Sequence, residues 1–168
     1  KMQSTKPSEI VIVDGLSEDN TLNIVNQYNN LVTKVICEAD DGVYDAMNKG
    51  LKFIKSTNFM FLNSDDYFDH QNVLMKYDEA IKEQSPDIVC CNINCIDSGN
   101  IRRRWRFEIG KDNFYTATRL PHPGCLMKSA LIDKIGGFDL TFPTAADFDL
   151  IFRCLKQGAT VYHLDEYL

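Results

Sequence analysis

The chain has 168 residues, 44% hydrophobic and 25% charged, which suits one globular domain with its own core and is too short for two of ordinary size. Asp and Glu number 24 against 18 Lys and Arg, and the net charge of -6 argues against general nucleic-acid binding, which needs a basic face. The longest apolar runs, Ile10–Val13, Phe59–Leu62 and Ile88–Cys91, are far below the roughly 18 residues of a membrane span, and the first residues do not read as a signal peptide.

In chain order, Glu9–Val13 reads as a β-branched strand stopped by Asp14-Gly15, and Thr21–Tyr28 as a helix. Lys34–Cys37 is a second strand, running into Glu38-Ala39-Asp40-Asp41-Gly42. Val43, Ala46, Met47, Gly50, Leu51 and Ile54 then form one helical stripe. Phe59–Leu62 is a third strand, ending in Asn63-Ser64-Asp65-Asp66. Gln71–Gln84 reads as a helix and Ile88–Ile96 as a strand with Val89, Cys91, Ile93 and Cys95 on one face. Ser98-Gly99-Asn100 turns into a charged strand, Ile101–Ile109. Residues 111–124 show no regular period. Cys125–Met127 is a short strand, Ser129–Ile135 a helix closed by Gly136-Gly137, Ala145–Lys156 a helix, and Thr160–Leu164 the last strand. Strands alternating with helices predict an α/β domain with a mostly parallel sheet covered on both faces.

The six cysteines form no CxxC pair and read as reduced, mostly buried small hydrophobes of a cytosolic protein. The three histidines lack ligand spacing, which makes zinc improbable. The acids are more informative. The first three strands each end in acid: Asp14, then Asp40-Asp41, then Asp65-Asp66. Asp is a common turn residue, but five carboxylates on the carboxyl rim of a sheet, where such folds bind ligands, call for a cation. Oxygen ligands point to Mg²⁺ or Mn²⁺ bridging a phosphorylated substrate. A haloacid-dehalogenase-type phosphatase needs Asp-x-Asp after its first strand, where this chain has Asp14-Gly15-Leu16, and no phosphate loop ending in Lys and Ser or Thr exists.

Ile12-Val13-Asp14-Gly15-Leu16-Ser17-Glu18-Asp19-Asn20-Thr21 resembles the "IVDDGSTDGT" opening of family 2 glycosyltransferases. The segment from Glu38 to Gly50 resembles their "EPDKGIYDAMNKG", and Phe61-Leu62-Asn63-Ser64-Asp65-Asp66 their "FLNSDD", the form their DxD motif takes. His122-Pro123-Gly124, Gly136-Gly137-Phe138-Asp139 and Ala146-Asp147-Phe148-Asp149-Leu150 resemble three later blocks in the same order. The resemblance implies a GT-A α/β/α sandwich, a nucleotide-sugar donor, most simply a UDP-sugar, a divalent metal, and inversion at the anomeric carbon. It implies a saccharide or lipid-linked saccharide acceptor and a role in cell-surface polysaccharide synthesis. By position, Asp14 and Asp40 would contact the uracil and ribose, Asp65 the ribose and sugar side, Asp66 the metal, and Asp147 would be the general base. It also implies a single domain, 1–168, lacking the family's usual first strand and helix and stopping before the loop that usually follows.

Several residues carry a second reading. Thr144-Ala145-Ala146-Asp147 has capping-box spacing, which would make Asp147 structural. Asp149 has Arg153 four residues on, so Asp147 is the better candidate base. His122 either lines the acceptor pocket or bonds irregular backbone. Tyr44 and Asn48 either approach the donor or, for Asn48, fix the strand-end loop. Arg102, Arg103, Arg104 and Arg106 read first as a solvated edge strand guarded by charge. The alternative is attraction to an anionic membrane face or a lipid-diphosphate acceptor. Two rival functions stay open on sequence: a sugar-phosphate nucleotidyltransferase, and a nucleotide-binding domain without catalysis.

Overall fold

The computed structural model describes residues 3–168. Strands β1 (Val11–Asp14) and β2 (Lys34–Cys37) pair in parallel across the crossover helix α1 (Thr21–Gln27), so Asp14 stands opposite Cys37. Helix α2 (Val43–Leu51) covers β1, and its buried Gly50 permits the approach: a Cβ there would lie 3.3 Å from Val13 Cγ2. The remaining elements are β3 (Asn58–Met60), α3 (Val73–Gln84), β4 (Ile88–Asp97), β5 (Asn100–Trp105), α4 (Asn113–Arg119), a single 3-10 turn at His122–Gly124, β6 (Cys125–Lys128), α5 (Ser129–Ile135), α6 (Ala146–Lys156) and β7 (Val161–Tyr167).

The larger sheet has the order β3-β6-β4-β5, with β7 also on β4. The α/β class stands, but the mostly parallel sheet expected from the alternation is mixed. β1–β2 and β4–β7 are parallel, whereas β3–β6, β4–β6 and β4–β5 are antiparallel. Two causes are visible. Ser98 and Gly99 both take positive φ (49° and 80°), the turn that folds a tight hairpin and forces β5 antiparallel to β4. The short β6 returns between β3 and β4 without a helical crossover of its own direction.

Strand β4 is buried on both faces. Ile88 and Cys90 join one core with Phe59, Met127, Leu150, Ile151 and Cys154, beneath α5 and α6. Val89 and Cys91 join the other with Val73, Tyr77 and Ala80 of α3. That is the period-2 alternation of a central strand, each buried side chain contributing about 1.5–3 kcal/mol. All six cysteines are free thiols, and Cys90, Cys91, Cys125 and Cys154 are buried. Burial pushes Cys91 up to about 12, so it stays an inert thiol.

Helix α4 occupies part of the segment that shows no period. Asp112 caps it, accepting from Tyr115 N at 2.9 Å. Tertiary contacts hold the rest: Asn113 Nδ2 donates to Leu155 O (2.9 Å), and Phe114 packs edge-on against Phe148 and Phe152. Its Asn, Thr and aromatic residues have weak intrinsic helix preference, which packing on α6 overrides.

Candidate active site

Asp14 ends β1 buried, and its Oδ2 accepts from Ser17 N (2.9 Å) and the Cys37 thiol (3.4 Å). Hydrogen bonds from Ser17 hold its carboxyl below the ordinary range. Asp40 lies in the loop after β2 and accepts from Gly42 N at 3.0 Å. A Cβ on Gly15 would sit 2.4 Å from Asp40 Oδ2, so the glycine is what lets the acid after β2 reach the end of β1. The loop is tied to α2 as well: Asp45 accepts from Asp41 N (3.1 Å), and Lys49 pairs with both Asp45 (3.1 Å) and Glu38 (3.4 Å). Asp40 and α2 therefore form one bonded unit.

Asp65 and Asp66 follow β3. Asn63 holds Asp66 by its side chain, Nδ2 to Oδ2 at 3.1 Å, and accepts Asp66 N at 3.0 Å. Burial, then the charge of Asp65, raises the Asp66 carboxyl above its ordinary value, with Asn63 opposing. A carboxylate strained in this sense gains from a cation beside it. Among the described residues no group of three or more His, Cys, Asp or Glu is arranged to hold a metal. The donor set present is thus one or two adjacent carboxylates, which suits Mg²⁺ or Mn²⁺ sharing its coordination with substrate phosphates and water. Asp65 borders two cavities, one of about 830 Å³ between β1 and β3 and one of about 450 Å³ walled by Asp66, Asn94 and Trp105.

Asp147 stands half-buried in the first turn of α6. The capping-box alternative is not what forms: the cap position is Ala145, left-handed at φ 64°, and no side chain caps the helix. The Asp147 carboxylate instead accepts from Tyr44 Oη at 2.9 Å, and it makes no ion pair among the described residues. Asp149 pairs with Arg153 at 2.8 Å, as the i, i+4 spacing predicts.

Around Asp147 the Gly136-Gly137-Phe138 segment is clamped from two helices. Asn48 of α2 donates to Phe138 O (2.9 Å) and accepts from Phe138 N (2.8 Å). Arg153 of α6 donates to Ile135 O (3.0 Å) and Gly137 O (2.7 Å). Gly136 has φ 84°, and a Cβ on Gly137 would lie 2.2 Å from Asn48 Oδ1, so both glycines are required by this clamp. Asn48 thus uses its amide on backbone, as in the loop-fixing alternative, but on the segment after α5 rather than on the strand-end loop. Tyr44, four residues earlier on the same helix face, stacks on Phe138 with ring centroids 5.3 Å apart.

His122 is buried between Phe61 (5.4 Å) and Phe138 (5.6 Å), and its Nε2 has no hydrogen-bond partner among the described residues. Burial lowers its pKa, against the opposing charge of Asp147, so the ring is neutral. The four arginines near β5 are engaged locally. Arg102 pairs with Asp97 and Arg106 with Asp165 (2.6 Å), while Arg103 lies over Trp105 and Arg104 over Tyr167. That is the edge-strand arrangement. No described helix is long and apolar enough to cross a membrane. The roles of Phe138 and Arg153 in holding the site escape sequence reading; the Gly136-Gly137 pair is the one local signal of a close approach there.

The sequence pattern described as Glycosyl transferase family 2 matches residues 1–136. This chain belongs to glycosyl transferase family 2. It is 31% identical over 156 residues to a PGL/p-HBAD biosynthesis glycosyltransferase of Mycobacterium bovis (strain BCG / Pasteur 1173P2), covering 91% of this chain and 60% of that protein. It is 29% identical over 149 residues to an uncharacterized glycosyltransferase of Mycobacterium tuberculosis, covering 86% of this chain and 56% of the relative. The family 2 chain thus spans less than two thirds of the length of these relatives. Its fold is that of GT-A glycosyltransferases. The structure of S. aureus TarS 1-349 in complex with UDP superposes with a TM-score of 0.78 at 20% identity, over 98% of this chain and 51% of that one. The mannosyltransferase PcManGT from Pyrobaculum calidifontis, solved with GDP-Man and Mn2+, gives 0.69 at 17% identity, over 94% and 46%.

Proposed function

We propose that this chain carries the donor-binding and catalytic face of an inverting, metal-dependent glycosyltransferase. It moves a sugar from a UDP-sugar to a saccharide or lipid-linked saccharide acceptor in cell-surface glycan synthesis. The observation that carries the reading is Asp147: a half-buried carboxylate with no ion pair among the described residues, hydrogen-bonded by a helix whose first turn follows the Asp40 loop.

Asp14 and Asp40 hold the uracil and ribose, and Asp65 faces the ribose and sugar. Asp66, with Asp65 beside it, would hold Mn²⁺ or Mg²⁺, which when bound supplies a Lewis acid for the charge developing on the leaving diphosphate. Asp147 takes the proton of the acceptor hydroxyl. The hydroxyl oxygen bonds to the anomeric carbon as the bond from that carbon to the diphosphate oxygen breaks, and attack from the opposite face inverts the centre. His122, neutral and buried behind Phe61 and Phe138, supports the acceptor side. UDP in the TarS structure and GDP-Man with Mn2+ in PcManGT support a nucleotide-diphosphate donor and a divalent cation. We place the reaction in the cytoplasm, in keeping with six free thiols. Because the arginines near β5 are paired within the chain, membrane attachment forms no part of the proposal.

Calorimetric titration of UDP with and without Mn²⁺ tests it. Binding should require the cation in the wild type, and Asp66→Asn should abolish it while circular dichroism is unchanged. Equal affinity in the two proteins would remove Asp66 from the metal site.

A further inference from the structure

We infer that Tyr44 is a positioning residue for transfer: its hydroxyl holds one oxygen of Asp147 so that the other is presented to the acceptor. This rests on Asp147 being the general base.

The geometry leaves the tyrosine little freedom. Its ring is stacked on Phe138, interplanar angle 28°, and Phe138 is in turn packed on Phe61 (5.5 Å) and on the buried His122. The backbone of Phe138 is bonded at both N and O to Asn48, one turn along the same helix. The helix is bonded to the loop before it through Asp45, which accepts from Asp41 N, and through Lys49, which pairs with Glu38 and Asp45. With ring and helix both fixed, the hydroxyl donates to Asp147 Oδ1 at 2.9 Å. Burial and then the neighbouring carboxylate raise the phenol above its ordinary value, so it stays protonated, and towards the carboxylate, which has no proton to give, it is the donor.

A carboxylate in the first turn of a helix has two soft torsions, and nothing else described holds Asp147: no cation pairs with it and no cap orients it. The Tyr44 bond therefore selects its rotamer. It also neutralises one oxygen's hydrogen-bonding demand and leaves Oδ2 as the base. Holding a reacting group in its productive geometry lowers the barrier without changing ground-state donor binding. Tyr44 sits one helical turn from the Asp40 loop, so the donor loop and the base are joined through α2 rather than through the sheet.

The test uses the full-length enzyme with Mn²⁺. The probe is nucleoside diphosphate released to water from whichever of UDP-glucose, UDP-galactose, UDP-N-acetylglucosamine and GDP-mannose raises Tm most. Tyr44→Phe keeps the ring on Phe138 and removes only the donor. It should lower kcat about tenfold, the size of one lost hydrogen bond to a charged group. Donor KM and Tm should stay near wild type. Tyr44→Phe added to Asp147→Asn should have no further effect on kcat, because the tyrosine acts through the carboxylate. Wild-type kcat in Tyr44→Phe, a rise in KM at constant kcat, or additive losses in the double variant would each overturn the inference. Asp147→Asn with wild-type kcat would overturn the base reading itself, a result separable from failure of Tyr44→Phe alone.

Discussion

The β1–α1–β2 layer and the β4-centred sheet are built to different depths. Helix α1 buries none of its residues, β2 buries only Ile36, and β1 only Asp14. In the other half Ile88, Val89, Cys90, Cys91 and Asn92 are all buried, and α6 alone buries five residues. The thin layer carries Asp14 and Asp40, held by hydrogen bonds within their loops; the thick half carries His122, held by packing, and Asp147, on a packed helix and oriented by the Tyr44 hydroxyl. A ligand-binding edge drawn from the less stable end of a fold can adjust to its donor, whereas a base must be rigid. Stability should therefore be lost in one half and ligand affinity in the other.

The largest expected effect is catalytic. Asp147→Asn should cut transfer about 10²–10⁴-fold with UDP affinity and Tm retained. Asp149→Asn, which removes the Arg153 pair, should keep measurable turnover and lose about 1 kcal/mol or less. Steady-state kinetics with melting curves on both variants decide between the two acids. Turnover preserved in Asp147→Asn would move the base elsewhere.

Next in size is packing. Leu150 of α6 is fully buried, so Leu150→Ala should cost about 2–5 kcal/mol in urea unfolding. Ile24 of α1 is 49% exposed, and Ile24→Ala should stay within about 0.5 kcal/mol. Equal costs would erase the contrast between the halves.

The glycines sharpen it further. Gly137→Ala displaces Asn48 from Phe138 and should cost about 1–3 kcal/mol for the two bonds lost. Gly15→Ala displaces the Asp40 carboxylate in the thin layer and should weaken UDP binding while leaving Tm nearly unchanged. Thermal melts and calorimetry on the pair measure both; a stability loss at Gly15 matching that at Gly137 would contradict the division.

The smallest effect is a pH dependence. The folded pKa of His122 lies below its ordinary value of 6.5 because the ring is buried, so the unfolded chain takes up the proton first. Its contribution is complete above about pH 6.5 and is lost as pH falls below that toward the folded value, at up to about 1.4 kcal/mol per pH unit. His163 is lowered too and acts in the same sense. His122→Phe, which preserves the contacts with Phe61 and Phe138, should flatten the fall in stability just below pH 6.5, leaving the slope due to His163 and, further into acid, that of carboxylates lowered by hydrogen bonds such as Asp14 and Asp87. An unchanged acid limb would mean that His122 takes up its proton equally in the folded and unfolded chains.

Much of this molecule is written in short spans of sequence. The strand end at Asp14 and the Asp40 loop follow from β-branched runs stopped by turn residues, Asp65-Asp66 lie in the loop after β3, which ends at Met60 rather than the expected Leu62, and the Asp149–Arg153 pair follows from helical spacing. The Ser98-Gly99 turn is legible for the same reason: its geometry is settled by neighbours along the chain. What tertiary structure decided lies between distant residues. Tyr44 meets Asp147 across 103 positions, and Asn48 meets Phe138 across 90. No local preference encodes those partners, because they exist only once α2, α6 and the segment after α5 are packed against one another. The antiparallel course of β6 and the formation of α4 belong to the same class. A four-residue strand and a helix of weak formers take their direction and existence from the surfaces they cover, and those surfaces are assembled by the whole fold.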